Sequence, residues 1–401
     1  MERSGLILVL VILFVDIAGE SLVYPVIPDL LETISGGSPQ QAASLYGWSL
    51  AIYAALTLFF APVWGVLSDR YGRRPMLLLS MVGAMVGNLV TALATSLELY
   101  FLGRIIAGAT SANMVVINAY LVDVSPPDQR ARNFGWIGAI AGIGFVAGPA
   151  LGGLVGNLGL RAPFWIVAGL SALTFLIALF GLRESLRAEH RRAVRWLEAN
   201  PFSALAALLR YPLVRSLAWA AMFNGFALSI LVAVWIPYCT YRYGFGVTEN
   251  GFTLALYGLT TVVGQVLVVP WLVPRLGERR VILLGLSVSL ASFVAYGLAS
   301  APWILLVVLA VSSLGAVDEP ALQSFISQNV CDEEQGTVQG ALSTLNSLMG
   351  VVGPVVGTHL FSRFSGVGVG LELPGAPFFA GALAVGIGLV LAYRVLSRTT
   401  G

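Results

Sequence analysis

The sequence contains no lysine. All 22 basic residues are arginine, and histidine (His190, His359) and cysteine (Cys239, Cys331) occur twice each. Without lysine the phosphate-binding loop Gly-x-x-x-x-Gly-Lys-Ser/Thr cannot be written, which excludes a P-loop ATP pump in this chain. Two isolated histidines form no catalytic cluster, so an enzyme is not expected, nor is a catalytic or metal centre. Two cysteines make no disulfide framework. Charge is scarce altogether. Charged residues are 10 % and apolar residues 57 % of 401, where a soluble domain carries about 25 % charged residues. No soluble core of this size absorbs so much apolar surface. The solvent for most of the chain is lipid.

Windows of about 20 mostly apolar residues, enough to cross a bilayer, recur along the whole chain. They fall near 6–28, 45–67, 76–95, 98–121, 133–156, 162–182, 211–238, 250–273, 280–298, 301–326, 337–362 and 375–397. Twelve membrane helices are expected. The first window is not read as a signal peptide, because Asp16 and Glu20 interrupt it and no small-residue cleavage site follows. Of the 22 arginines, 18 fall in one set of connections, 3 (Arg161, Arg242, Arg363) on the other side, and Arg104 inside a span. The positive-inside rule then puts both termini in the cytoplasm of a plasma (bacterial inner) membrane protein. The net charge of +2 follows from this loop bias and is no argument for nucleic acid. Cys239 and Cys331 land on opposite faces. Trp235 and Tyr238, near the outer end of the seventh span, suit interfacial anchoring.

The chain reads as two halves, 1–182 and 211–401, joined by a cytoplasmic middle loop at 183–210. That loop is the one long polar stretch and carries Arg183, Glu184, Arg187, Glu189, His190, Arg191, Arg192, Arg195 and Glu198. It suits an amphipathic helix on an anionic leaflet or a solvated linker. The halves repeat at a fixed offset. Gly72-Arg73-Arg74 is echoed by Gly277-Glu278-Arg279-Arg280, and Gly135 with Gly148-Pro149-x-x-Gly152 by Gly340 with Gly353-Pro354-x-x-Gly357. The offset is 205 in both. Such repeats are typical of secondary transporters, with the substrate site between halves near the midplane.

The motifs between and within the spans carry a resemblance. Gly65-Val-Leu-Ser-Asp69-Arg70-Tyr-Gly72-Arg73-Arg74-Pro75 resembles the signature between helices 2 and 3 of the major facilitator superfamily. Gly138-x-x-x-Gly142-x-Gly144-x-x-x-Gly148-Pro149-x-x-Gly152 resembles the helix-5 motif of its drug:proton antiporters. Tyr24-Pro25-x-x-Pro28 and Arg104-x-x-x-Gly108 fit the same twelve-helix branch. Asp16, Phe134-Gly135-Trp136 and Pro320-Ala-Leu-Gln323 are similar to the tetracycline efflux group. The resemblance covers essentially the whole chain. It implies an all-α membrane protein of twelve helices in two pseudo-symmetric six-helix halves. It also implies a gating latch built on Gly65, Asp69, Arg70, Gly72, Arg73 and Arg74, with Asp123 as a further partner. Asp69 can meet a helix N-terminus of the opposite half or pair with Arg130 or Arg132. For the helix-5 glycines the resemblance implies a tight, bendable contact between halves; a static packing seam is the other reading.

Five charged residues stand well inside spans: Asp16, Glu20, Arg104, Asp318 and Glu319. They lie in helices 1, 4 and 10. In the resembled fold these helices line the central cavity, and helices 3, 6, 9 and 12 face lipid. A charge inside a bilayer costs at least a few kcal/mol, so it marks a functional path. Asp16 and Glu20, four residues apart, share a helix face. Glu20 and Arg104 sit at similar depth and are expected to pair. Asp318 and Glu319 are adjacent, with no cation in their helix. Two close carboxylates in a poorly hydrated cavity do not both stay ionised, so the four acids are the expected proton-coupling groups. The coupling ion is the proton and no other cofactor is expected. Asn113, Asn118, Asn224, Gln265, Gln323 and Asn346 add candidate substrate contacts beside Arg104.

The chain also departs from the tetracycline pumps. They carry intramembrane acids in helices 3 and 9, where this sequence has Asn88 and Ser289, and a helix-8 histidine where it has Thr261. It adds Glu20, Asp318 and Glu319. These departures count against a metal–tetracycline chelate as cargo. The reading is proton-coupled efflux of a small amphiphilic compound, neutral or cationic given four acids against one arginine, by a monomer. The alternatives are a metabolite importer or facilitator, which the helix-5 motif opposes, and a non-transporting sensor, which the latch and cavity acids oppose.

Overall fold

The computed structural model describes residues 2–111, 113–191, 200–203, 205–208, 212–312, 315–331, 334–366 and 372–398. Every regular element among them is helical. Eleven helical segments are long and apolar enough to cross a membrane: Gly5–Ser35, Pro39–Tyr71, Arg73–Ala92, Leu97–Val124, Pro127–Leu158, Ala162–Gly181, Leu213–Tyr243, Val247–Leu276, Glu278–Leu298, Gln335–Phe364 and Ala376–Ser397. The expected span at 301–326 is not one helix. It consists of the apolar helix Pro302–Ser312, a 3-10 turn at Gly315–Val317 and a second helix, Asp318–Gln328. With it the count is twelve, in the expected order. The amphipathic helix considered for the middle loop falls largely on 192–199, outside the described residues.

Contacts divide the chain into two units. One comprises Met1–Gly37, Ile52–Pro201 and Gly246–Ala255; the other comprises Ser38–Ala51, Phe202–Phe245 and Leu256–Gly401. In the first unit span 1 packs on spans 5 and 6, and span 3 on spans 4 and 6. In the second, span 7 packs on spans 11 and 12, and span 9 on spans 10 and 12. The same arrangement is thus built twice.

Small residues make these packings possible, because lipid supplies no hydrophobic drive between helices and close approach must come from van der Waals contact. Gly148 lies against Ser21 and Gly152 against Leu22 in the first unit. Gly353 lies against Ser229 and Gly357 against Ile230 in the second. The repeat therefore holds in packing as well as in sequence: 353 − 148 is 205 and 229 − 21 is 208. The seventh span is set three residues later, relative to the first, than the eleventh is relative to the fifth. Pro149 and Pro354 sit inside their helices, and the carbonyls they present face Gly251 in the first unit and Gly47 in the second.

Candidate functional site

The fourth span is made of two helices, Leu97–Thr110 and Asn113–Val124. Arg104 lies in the first and is 3 % exposed. Its Nη2 is 3.5 Å from Glu20 Oε1, and its guanidinium lies over the Tyr53 ring at 4.5 Å. Tyr24 donates its hydroxyl to the same Glu20 oxygen at 3.5 Å. An anion and an aromatic face thus replace part of the hydration the cation gives up. The expected Glu20–Arg104 pair is present. Asn113, in the second helix, donates Nδ2–H to Asp16 Oδ1 at 2.9 Å. Asn118, further along that helix, is half-buried and is not among the residues lining the two cavities of the second unit.

The second unit repeats the motif with the roles exchanged. Asn224 of span 7 donates Nδ2–H to Asp318 Oδ2 at 2.9 Å. Asp318 and Glu319 occupy the first turn of the helix Asp318–Gln328. Local sequence accounts for this start. Gly315 belongs to the preceding 3-10 turn, Pro320 is tolerated in a first helical turn, and the helix N-terminus favours negative charge. Asp318 is 3 % exposed, whereas Glu319 is exposed.

These two acids stand between two cavities. The larger, about 210 Å³, is lined by Asn224, Gly225, Ser229, Gln323 and Asn346 as well as Asp318 and Glu319. The smaller, about 70 Å³, lies toward spans 8 and 9. It carries Tyr257, Thr261, Gln265, Ser289, Ser292, Tyr296 and Ser312 beside the same two acids. Gln265 falls in a π-helical turn, Gly264–Val268; such turns appear frequently at functional sites. Thr261 and Ser289, where the sequence departs from the tetracycline pumps, share this chamber with Asp318 and Glu319.

The loop after the second span forms a separate cluster. Arg73, 8 % exposed, reaches Asp69 at 2.6 Å, Ser68 Oγ at 2.6 Å and Asp123 at 3.2 Å. Ser185 Oγ donates to the same Asp123 oxygen at 2.9 Å. Asp69 does not meet Arg130 or Arg132 here. Arg130 donates to the Ser125 carbonyl at 3.4 Å and Arg132 to Gln129 at 2.9 Å. The reason is geometric: Arg73 lies one turn on from Asp69 and reaches it first. Arg70 stands near the Tyr71 ring, and Arg74 donates to the Leu179 carbonyl at 2.6 Å. A β-carbon at Gly65 would come into ordinary contact with Val115.

Three of the six helix-5 motif residues, Gly144, Gly148 and Gly152, pack on span 1, and Pro149 faces Gly251. A β-carbon at Gly138 would meet nothing within 4 Å, so this glycine is not part of the seam. Gly142 lies within the same helix. Trp235 and Tyr238 are not interfacial anchors. They are 2 % and 1 % exposed, Trp235 packs edge-on to Tyr296, and Tyr238 donates to the Tyr296 carbonyl at 3.1 Å. Both rings are buried inside the unit and the Tyr238 hydroxyl is satisfied there, which removes the reason to reach a headgroup layer.

Sequence reasoning missed Glu184. Its carboxylate accepts backbone N–H groups of Arg73 at 2.8 Å, Arg74 at 3.2 Å and Leu186 at 3.0 Å, capping the third span. Gly72 has φ +106° and a β-carbon there would strike Glu184, so both backbone and carboxylate require glycine. The signal was present as an acid following an Arg directly after the sixth span, but in sequence it reads as loop charge. Tyr53 and Tyr257, each beside a pair of intramembrane acids, were missed because an aromatic in an apolar run carries no mark.

The family model of the Major Facilitator Superfamily matches residues 9–354 and 217–401. The chain belongs to that superfamily and is not an enzyme. Within it, the chain is 34 % identical to the class C tetracycline resistance protein of Escherichia coli over 92 % of this chain and 93 % of that one. It is 36 % identical to the class G tetracycline resistance protein of Vibrio anguillarum over 91 % and 92 %. Among solved structures it is similar to the human organic anion transporter TETRAN, with a TM-score of 0.71, 24 % identity and coverage of 98 % and 99 %; this likeness concerns the fold.

Proposed function

We propose that the chain exports a small amphiphilic, drug-like compound from a bacterial cytoplasm in exchange for protons, by alternating access, as a monomer with both termini inside. The tetracycline resistance relatives support export of a drug. One observation carries the coupling: Asp318, buried, and Glu319, exposed, share the wall of a polar cavity of about 210 Å³. Among the described residues no basic side chain lines that cavity or its smaller neighbour. Carboxylates so placed exchange their charge for a proton more readily than they stay unpaired. The cavity favours neutral or cationic cargo, with Gln323 and Asn346 as hydrogen-bonding contacts. In the first unit Asp16 is the counterpart acid, and Glu20 is engaged by Arg104.

The test is export by the purified protein in proteoliposomes under an imposed proton gradient, across a drug panel that includes tetracycline. Asp318→Asn with Glu319→Gln should abolish accumulation against a gradient while leaving insertion intact. Undiminished uphill export by that double variant would place coupling elsewhere, with Asp16 next in line.

A further inference from the structure

We infer that the chain carries two proton-binding carboxyl–carboxamide dyads, one in each unit: Asp16–Asn113, and Asp318–Asn224 with the partners exchanged between helices. Asn113 and Asn224, offered by sequence as substrate contacts, are on this account partners of the proton.

Register comes first. Ser21 against Gly148 and Ser229 against Gly353 mark equivalent points of spans 1 and 7. Asp16 stands five residues before Ser21, and Asn224 five residues before Ser229. On the facing helices, Asn113 and Asp318 differ by 205, the offset of the rest of the repeat. They lie in the helices Asn113–Val124 and Asp318–Gln328. One inter-helix contact is therefore made twice, at 2.9 Å each time. The acid lies on the first helix in one unit and on the tenth in the other.

The hydrogen-bond inventory supplies the chemistry. Asn113 is 2 % and Asn224 6 % exposed. Each donates Nδ2–H to its aspartate, and each leaves a buried Oδ1 with no hydrogen-bond partner among the described residues. An unmet buried acceptor is costly. An ionised carboxylate cannot help, because it has no hydrogen to give. A protonated one can. When a proton from water adds to Asp16 Oδ2, that O–H can donate to Asn113 Oδ1 while Asn113 Nδ2–H still donates to Asp16 Oδ1. The same holds for Asp318 Oδ1 and Asn224. Proton binding thus turns one hydrogen bond and one orphan into two hydrogen bonds, and release reverses it. Turning the amide over would set its carbonyl against the carboxylate, which again only a proton reconciles.

The surroundings differ. Around Asp16 stand Glu20, Tyr53 of the second span and Arg104 of the fourth. Around Asp318 stand Glu319 and Tyr257 of the eighth span. Their role in transport rests on the efflux reading above; their existence does not.

The test is infrared difference spectroscopy of the purified full chain in lipid nanodiscs as pH is lowered. It follows the carbonyl stretch of protonated carboxyl groups. Asp16→Asn should remove one component and Asp318→Asn a second. Asn113→Leu should shift the first component to higher frequency and leave the second, and Asn224→Leu the converse. The exchanged variant Asp16→Asn with Asn113→Asp rebuilds in the first unit the arrangement of the second. It should regain the component lost in Asp16→Asn alone, which guards against a folding defect. Bands indifferent to both asparagines, or no recovery in the exchanged variant, would overturn the dyads even if export remains proton-driven. The predicted bands in a protein whose export ignores the proton gradient would uphold the dyads and remove the efflux reading.

Discussion

At the scale of single residues, the cluster at the start of the third span separates two roles that the signature merges. Asp69 pairs with Arg73 one turn away, at the exposed end of the cluster, whereas Asp123 ties Arg73 to the end of the fourth span. Asp69→Asn leaves the Asp123 contact and the cavities untouched. It should slow export while substrate affinity stays within about twofold, roughly 0.4 kcal/mol. Initial efflux rates compared with equilibrium binding on the purified variant check this; equal losses in both would mean the loop also shapes the binding site. Glu184 is a different case. Its carboxylate satisfies backbone donors at a helix start, so Glu184→Ala should destabilise the protein by about 1–2 kcal/mol, and Glu184→Gln, which keeps an acceptor, by less. Thermal unfolding of the detergent-solubilised protein reads the difference. Composition could mark the intramembrane acids, because charge in an apolar run is conspicuous. It could not mark Glu184, whose meaning lies in which backbone N–H groups the fold brings to it.

At the scale of elements, the glycines of span 5 divide by what they touch. Gly148 meets Ser21, and its repeat partner Gly353 meets Ser229, while Gly138 faces open space. Gly148→Val and Gly353→Val should each cost about 1–3 kcal/mol through overpacking and lower export. Gly138→Ala should be tolerated and slightly stabilise the helix, by at most about 1 kcal/mol. Melting curves and efflux of the three variants test the division; a neutral Gly148→Val would mean span 1 is free to move away from span 5. The spacing of these glycines was legible in the sequence, and with it the seam. The tenth span was legible only in part. Hydropathy reports composition, so 301–326 reads as one helix, and the start of a new helix at Asp318 becomes visible only in the backbone. That start gives the two acids their place, at a helix N-terminus on the wall between two cavities.

At the scale of the whole molecule, the repeat preserves contacts while changing their chemistry. Arg73 bonds Asp123 at 3.2 Å; at the same offset of 205, Gln328 donates to Glu278 at 3.0 Å. An ion pair in one unit is an amide–carboxylate bond in the other. The cavity charges are distributed as unevenly. In the first unit Arg104 offsets Glu20, leaving the charge of Asp16. In the second, no cation among the described residues lines the cavities of Asp318 and Glu319. The sequence count of four acids against one arginine pointed to neutral or cationic cargo but put weight on Glu20, because pairing across helices cannot be read from a list. Under the efflux proposal that weight moves to Glu319, which is exposed and lines both cavities. Glu319→Gln should weaken lipophilic cations by about tenfold, roughly 1.4 kcal/mol, and leave neutral compounds of similar shape nearly unchanged. Glu20→Gln should affect both alike, through the Arg104 it leaves unpaired. Competition binding across a charge series on the two purified variants distinguishes these outcomes. A charge-selective loss in Glu20→Gln with none in Glu319→Gln would place cation recognition in the first unit and leave Glu319 to the proton alone.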